Sequence, residues 1–445
     1  MPLKTHVLFF LGLMGLAASL PAAAAQQAAR NPATSLQVLD LATAKKIAVS
    51  GSPSLRAVQD RIEQARQQVR QKQAAWLPSL DATTSLTRTE DAANATLSGD
   101  GDTYDAALTA TLTLFDGFNR SYNLKSARYG KTASVEAEKD ARRLLIFSVA
   151  QSYYALQSAT ENIAIAQSDK DYNAGQLLEA EARHNVGAGS LSDVLNFRIK
   201  VNTAASSLMN AKKTYAVTLT GLAALMGVDE KDFPKDFTLA PLETTGPWDS
   251  APLVTEDLVT EALALRPDLG QNDAALKQAD TAVGIARSGY YPTVNLKGAF
   301  SGSREDNARY EGDDFGSSIG VTVQMNLFAG GDTRAKVTEA EAARREALHS
   351  LEDLKLTVRK EVREAVEEID TAHRQVKLQE ETVALTRRSR ELVEEEYRAG
   401  KTSVVKLNEA QNTLVSAEGG LVDARVSLFT AWEKIRSVTG TNLNR

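Results

Sequence analysis

Two stretches, Gly117 to Val186 and Asp332 to Ala399, run for about seventy residues each without a proline, and the second lacks glycine as well. Read as helix, each would be about 100 Å long at ~1.5 Å rise per residue. That is several times the ~11-residue helix of an ordinary globular domain. From Leu351 the apolar positions run Leu354, Val358, Val362, Ala365, Ile369, Ala372, Val376 and Val383. Their mean spacing is about 3.6, so the stripe stays on one face of a nearly straight helix. The first stretch reads Leu145, Val149, Ser152, Leu156, Ala159, Ile163, Ala166. A helix of this length does not bury such a stripe alone and requires partner helices.

The rest of the chain is written twice. Residues 38–75 read as helix in two pieces, parted by Ser50-Gly51-Ser52-Pro53. After Trp76-Leu77-Pro78 the period changes to two: Leu80, Ala82, Thr84 and Leu86 alternate with Asp81, Thr83, Ser85 and Thr87. This predicts a hairpin with strands over about 79–90 and 103–115 and a polar loop between. Gly187-Ala188-Gly189 turns the chain into a second helix, Leu191 to Met226, which ends at Gly227. Residues 228–252, with four prolines, read as a linker. The pattern then restarts over 253–440, with strands at about 293–301 and 315–328 and a tail at 441–445. Pro53 and Pro78 recur 214 residues on as Pro267 and Pro292. Phe115, Gly117, Gly187 and Gly227 recur 213 residues on as Phe328, Gly330, Gly400 and Gly440. Offsets held this closely predict a two-fold internal repeat, mainly α with β.

Each predicted strand has one apolar face and one face of mostly Thr, Ser, Asn, Gln or Gly, the dyad pattern of a transmembrane β-barrel. Trp76, Tyr290 and Tyr291 stand where the chain enters the strands, and Phe115 and Phe328 where it leaves. A hairpin puts entry and exit on one side, so these five predict an aromatic girdle at one membrane interface. Four strands do not close a barrel, and an open edge in lipid leaves backbone groups unpaired. Copies must therefore combine, and three would supply twelve strands.

Composition excludes much else. The 445 residues carry 51 basic and 57 acidic side chains, interleaved, with a formal charge of -6, which is no footprint for nucleic acid. With no cysteine there is no disulfide, thiolate metal site, cysteine nucleophile or lipid-modified N-terminal cysteine. Residues 1–25 read as a signal peptide: Lys4, the apolar run Val7 to Leu20, then Pro21 and four alanines. A polar leader over 26–37 follows. Of the four histidines, His6, His184, His349 and His373, none has a partner four residues away. No catalytic, metal or cofactor site is read, and the chain is not expected to be an enzyme.

With those residues in place, the chain resembles the TolC-like outer-membrane efflux protein family over essentially its whole mature length. The resemblance rests on Pro53-Ser54-Leu55 and Pro267-Asp268-Leu269, on Leu77-Pro78 and Tyr291-Pro292, and on Leu114-Phe115-Asp116-Gly117 and Leu327-Phe328-Ala329-Gly330-Gly331. It also rests on the turns Val186-Gly187 and Ala399-Gly400. It implies a homotrimer in the outer membrane, a twelve-stranded β-barrel continuous with a long periplasmic α-helical barrel. It implies a periplasmic adaptor and an inner-membrane transporter as partners, with drug efflux and type I protein secretion both open. Gly187 and Gly400 would mark the periplasmic tip, an iris-like gate. Asp193 and Tyr397 would be a linking pair there, and Lys406 and Glu409 would stand at the constriction rings. Lys406 departs from the acidic pattern, and its spacing from Glu409 suggests that the two pair. The competing expectation is a non-conducting periplasmic coiled-coil scaffold or adaptor.

Overall fold

The computed structural model describes residues 38–89, 101–229, 231, 238–241, 253–305 and 307–443. The expected signal peptide and the leader over 26–37 lie outside these residues. The described residues open with a two-residue strand β1 (Val38–Leu39), then α1 (Leu41–Gly51) and α2 (Pro53–Ala74). The hairpin β2 (Ser79–Thr89) and β3 (Gly101–Phe115) leads into α3 (Asn119–Asn185) and α4 (Leu191–Met226). A second short strand β4 (Thr238–Leu239) precedes α5 (Thr255–Leu265) and α6 (Pro267–Ser288). Then come β5 (Thr293–Glu305), β6 (Phe315–Gln324), α7 (Asp332–Arg398) and α8 (Val404–Thr439).

The two halves match in length, element by element. α1 and α5 have 11 residues each, and α2 and α6 have 22. The long helices α3 and α7 have 67, and their partners α4 and α8 have 36. Pro53 and Pro267 occupy the first turn of α2 and α6, where the missing N–H costs nothing. α4 ends on Gly227 in the left-handed region (φ 70°), with Val228 N–H donating to Ala223 O at 3.0 Å. That is the glycine-capped stop that satisfies orphan carbonyls.

The apolar stripes face inward. Leu351, Val358, Val362, Ala365, Ile369 and Ala372 are buried on α7. On α3, Leu145, Val149, Leu156 and Ala159 are buried, joined by Tyr153 and Tyr154. Each half has its own core at the waist: α1 packs on α3 and α4 around Ile47, Leu156 and Met226, and α5 packs on α7 and α8 around Val259, Val362 and Ile435. α3 also packs on α8 and α6, which joins the halves.

Several expected boundaries moved. Residues 38–40 do not start the first helix: Val38 and Leu39 pair in parallel with Thr238 and Leu239, so the segment expected to be plain linker carries a strand. Backbone pairing there overrides the proline-rich context, and Tyr153 donates its hydroxyl to Leu39 O at 3.1 Å beneath it. β5 runs to Glu305, past the expected end at 301, because Thr103 to Ala107 of β3 continue the ladder opposite it. β6 stops at Gln324, short of Phe328. Its one partner among the described residues, β5, begins at Thr293, which pairs with Gln324, so residues beyond have no described ladder to join.

Candidate channel wall and helical tip

The four long strands form one antiparallel sheet in the order β2-β3-β5-β6. Directly opposed residues share a face, so the register aligns the sheet row by row. Leu80, Ala110, Gly298 and Ile319 form one row. Ala82, Leu108 and Phe300 form the next, and Leu112, Leu296 and Val321 another. The opposite face carries Asp81 and Thr109, Thr83 and Ser301, Asp105 and Ser303, and Thr111 and Lys297. One face is therefore mainly apolar across the four strands, broken by Thr84 and by Ser317 opposite Phe300, and the other is lined mainly with hydroxyls and charges. Ile319, at 80% exposed, and Leu80, at 67%, point into no protein neighbour. The edges β2 and β6 have no second partner among the described residues. Such a ribbon is built to have lipid on one side and water on the other.

Where strands meet helices, aromatic rings gather. Phe115 and Phe118 meet edge to face at 5.5 Å, and Phe118 meets Tyr291 at 6.5 Å. Arg120 lies over Trp76 at 4.5 Å and donates from Nε to Asp116 at 3.0 Å. Tyr290 and Phe328 are exposed at this level. Phe118 was not singled out from the sequence. It takes φ 68°, the left-handed region, at the position where the second half has Gly331 at φ 90°. Comparing the two halves residue by residue was the signal that could have found it. Gly117 beside it admits no side chain: a Cβ there would lie 2.7 Å from Ser288 O and Tyr291 Cβ.

At the far end of the helices, Gly187 (φ 78°) and Gly400 (φ 72°) close matching turns. Ala188 N–H donates to Arg183 O and Lys401 N–H to Glu396 O, both at 2.8 Å. Ser190 and Ser403 then cap α4 and α8. The two helical hairpins meet around Ala180, Val194, Phe197 and Leu407, which are buried. Tyr397 packs edge-on to Phe197 at 6.1 Å and beneath Arg183 at 5.7 Å. Its hydroxyl donates to Asp193 Oδ2 at 3.4 Å, a long bond across the hairpins of a single chain. Burial pushes the Tyr397 hydroxyl above its ordinary pKa, and the Asp193 carboxylate adds to the shift.

Further polar contacts join the hairpins above this pair. Gln176 donates to Glu394 at 3.1 Å, Asn408 to Asn196 at 3.1 Å, and Gln411 to Asp169 at 2.9 Å. Arg398 lies 3.7 Å from Glu179. Tyr172, under Arg390 at 5.1 Å, is pushed up to about 12 by burial and by Glu394. None of these was read from the sequence, where they look like ordinary charged helix faces. Lys406 and Glu409 are both exposed, and no ion pair joins the two among the described residues, although their spacing allows one. An exposed pair at this spacing gains only ~0.3–0.5 kcal/mol, no more than the side-chain freedom it costs. Glu409 instead lines a groove of about 620 Å³ with Asn196, Lys200 and Asn408.

Comparison with known proteins supplies the rest. The family described as outer membrane efflux protein matches residues 46–228 and again 258–441, one match per half. The chain belongs to the outer membrane efflux protein family. Its similarity to the outer membrane protein OprJ of Pseudomonas aeruginosa is 24% identity over 412 residues, covering 88% of this chain and 84% of that one. Outer membrane protein TolC of Salmonella enteritidis is 25% identical over 345 residues, 76% of this chain and 69% of its own. Among solved structures, the CmeC outer membrane channel of Campylobacter jejuni superposes with a TM-score of 0.79 at 20% identity, over 90% of this chain and 85% of that one. The efflux protein described here resides in the bacterial outer membrane, its helical part in the periplasm. It serves as an outer-membrane efflux channel.

Proposed function

We propose that three copies close a twelve-stranded barrel and that their helices form a periplasmic tunnel behind it. The tunnel receives substrate from an inner-membrane transporter through a periplasmic adaptor. The observation that carries this reading is the two-faced ribbon with both edges unpaired among the described residues. A neighbour's β6 against this chain's β2 completes the backbone pairing that lipid requires. The helical tip is the gate, held shut in part by Asp193 and Tyr397, with Lys406 and Glu409 facing the constriction. Small molecules are the favoured cargo. Related proteins include a toluene efflux pump outer membrane protein and a pyoverdine export outer membrane protein.

The test is expression in a bacterium lacking its own outer-membrane efflux proteins, together with the cognate adaptor and transporter genes. The expected result is heat-modifiable trimer in the outer membrane and restored resistance to exported compounds. Restored secretion of a polypeptide without resistance would move the cargo to type I secretion. A soluble periplasmic product without heat-modifiable mobility would favour the non-conducting scaffold.

A further inference from the structure

The apolar face of the ribbon ends in two arginines. Arg88 follows Leu80, Ala82, Thr84 and Leu86 on the same face of β2, and Arg304 follows Phe300 and Gly302 on the same face of β5. The register sets Arg304 opposite Tyr104 of β3 and Arg88 opposite Asp102, so the two arginines share a face at the same end of the sheet, two residues apart along the strand direction and separated by β3. Arg304 stands ten residues beyond Val294, the first apolar residue of its strand. That is roughly 34 Å along the strand at ~3.4 Å per residue, or about 25 Å along the membrane normal at a ~40° tilt, the height of a barrel's lipid-facing band. Phe300 stacks on Phe315 at 5.2 Å, and Tyr310 lies 5.3 Å from Phe315, so aromatic rings mark this rim as well. The guanidinium groups thus sit on the lipid side, at the upper edge of the band.

The two rims treat arginine differently. At the periplasmic rim Arg120 is turned inward, its side chain 12% exposed, against Asp116, Trp76 and the backbone oxygens of Ala75 and Leu114. At the outer rim the Arg88 side chain is 73% exposed beside Asp102, at 3.8 Å. Arg304 is held by Asp314 at 2.8 Å and lies 3.6 Å from Glu311, which fixes the orientation of its fork. A guanidinium fork matches a phosphate bidentately. The outer leaflet of a bacterial outer membrane is built of phosphorylated glycolipid, and divalent cations link its phosphates. Arg88 and Arg304 complement those phosphates, and Asp102, Glu311 and Asp314 can share the bridging cations.

We propose that the outward face of the outer rim, built around Arg88 and Arg304, docks the phosphorylated glycolipid of the outer leaflet. Its acyl chains lie down the apolar rows and its headgroup phosphates meet the two guanidinium forks. The inference rests on the barrel reading of the strands.

The test uses full-length trimer extracted from outer membranes in mild detergent, with co-purifying glycolipid counted by mass spectrometry. Reconstituted trimer is then titrated with bisphosphorylated lipid A, dephosphorylated lipid A and phosphatidylglycerol. The expected result is at least fivefold weaker binding without the phosphates, and at least fivefold lower glycolipid retention in Arg88→Gln/Arg304→Gln. Arg309→Gln, in the adjoining loop, retains glycolipid as the native protein does. Equal binding of lipid A with and without phosphates overturns the proposal and needs no variant, so a double variant that fails to assemble does not shield it. Equal binding of phosphatidylglycerol also overturns it, since the surface would then be a general anionic-lipid contact. Failure to reach the outer membrane at all would instead sink the barrel reading.

Discussion

Tyr397→Phe isolates one hydroxyl at the tip. The substituted ring keeps its contacts with Phe197 and Arg183, at 6.1 Å and 5.7 Å, and loses the 3.4 Å bond to Asp193 alone. Asp193 is half-exposed and sits in the first turn of α4, so water and the helix N-terminus continue to stabilise its charge. The bond is long for an O–H donor, which puts its contribution at the low end, about 0.5–1 kcal/mol. In the proposed trimer, with one link per copy and a concerted opening, the closed state loses about 1.5–3 kcal/mol. That is roughly a ten- to 150-fold shift toward the open tip, at tenfold per ~1.4 kcal/mol. Single-channel recording in planar bilayers reads this as a larger open fraction or higher mean conductance. The same link carries a pH signature. The Tyr397 pKa is raised in the folded protein, so its contribution is complete below the ordinary tyrosine range and lost as pH rises through the folded value. Native channels therefore open at strongly alkaline pH, and Tyr397→Phe channels lose that response. If Tyr397→Phe conducts as the native protein does at neutral pH and keeps the alkaline rise, the link does not hold the tip.

Other expectations concern the waist, the girdle and the constriction. Arg266 joins α5 to α6, donating to Asp268 from Nε at 3.0 Å and from Nη2 at 2.5 Å, and to Glu361. Arg266→Met strands a half-buried carboxylate and should cost about 3 kcal/mol in thermal unfolding; an unchanged melting temperature would dismiss the network. Burial alone would raise the Asp268 pKa, but the Arg266 hydrogen bonds and charge outweigh it and hold it low. The stability it supplies is thus present above the ordinary carboxylate range and lost as pH falls through the folded value. Phe118→Gly should stay within ~1 kcal/mol of native, because relief of the left-handed backbone offsets the lost ring contacts, whereas Phe118→Val should be clearly less stable. Lys406→Asp should shift the reversal potential toward greater cation preference if Lys406 faces the pore; equal potentials would place it elsewhere.

The long helices, the hairpins and the duplication were legible because each leaves a periodic mark that one chain carries by itself. Leu351 to Ala372 announces its buried face by spacing alone. The ends of strands were not legible, because a ladder stops where its partner stops: Gln324 ends β6 only because Thr293 begins β5. The β1–β4 pair was missed for the same reason, being two residues on each side and joined across some two hundred positions. At the tip, Asp193 and Tyr397 were placed by resemblance, not by any local pattern. Gln176, Glu394 and Gln411 carry no sequence signal, since a polar residue on a helix looks the same whether it faces water or the neighbouring hairpin.

The same ladder that defines the strands also constrains how this protein can enter a membrane. β2 has 11 residues and β6 has 10, and both are edges among the described residues of the single chain. Every second residue of an edge strand turns its N–H and C=O outward, which leaves about ten unpaired groups on each edge. At several kcal/mol per group in hydrocarbon, the deficit reaches tens of kcal/mol, beyond the ~5–15 kcal/mol that stabilises a typical fold. The helices carry no such debt, since their backbone bonds close within each helix and water covers their outer faces. On the proposed trimer, folding and membrane entry are thereby separated: the helical hairpins form in each copy, and the strands cross the bilayer only once three copies have paired their edges. Refolding from denaturant into lipid vesicles should therefore pass from water-soluble, helix-rich monomer to inserted, heat-modifiable trimer, with a rate that rises with protein concentration. A protease-protected inserted monomer at low concentration would refute this order of events.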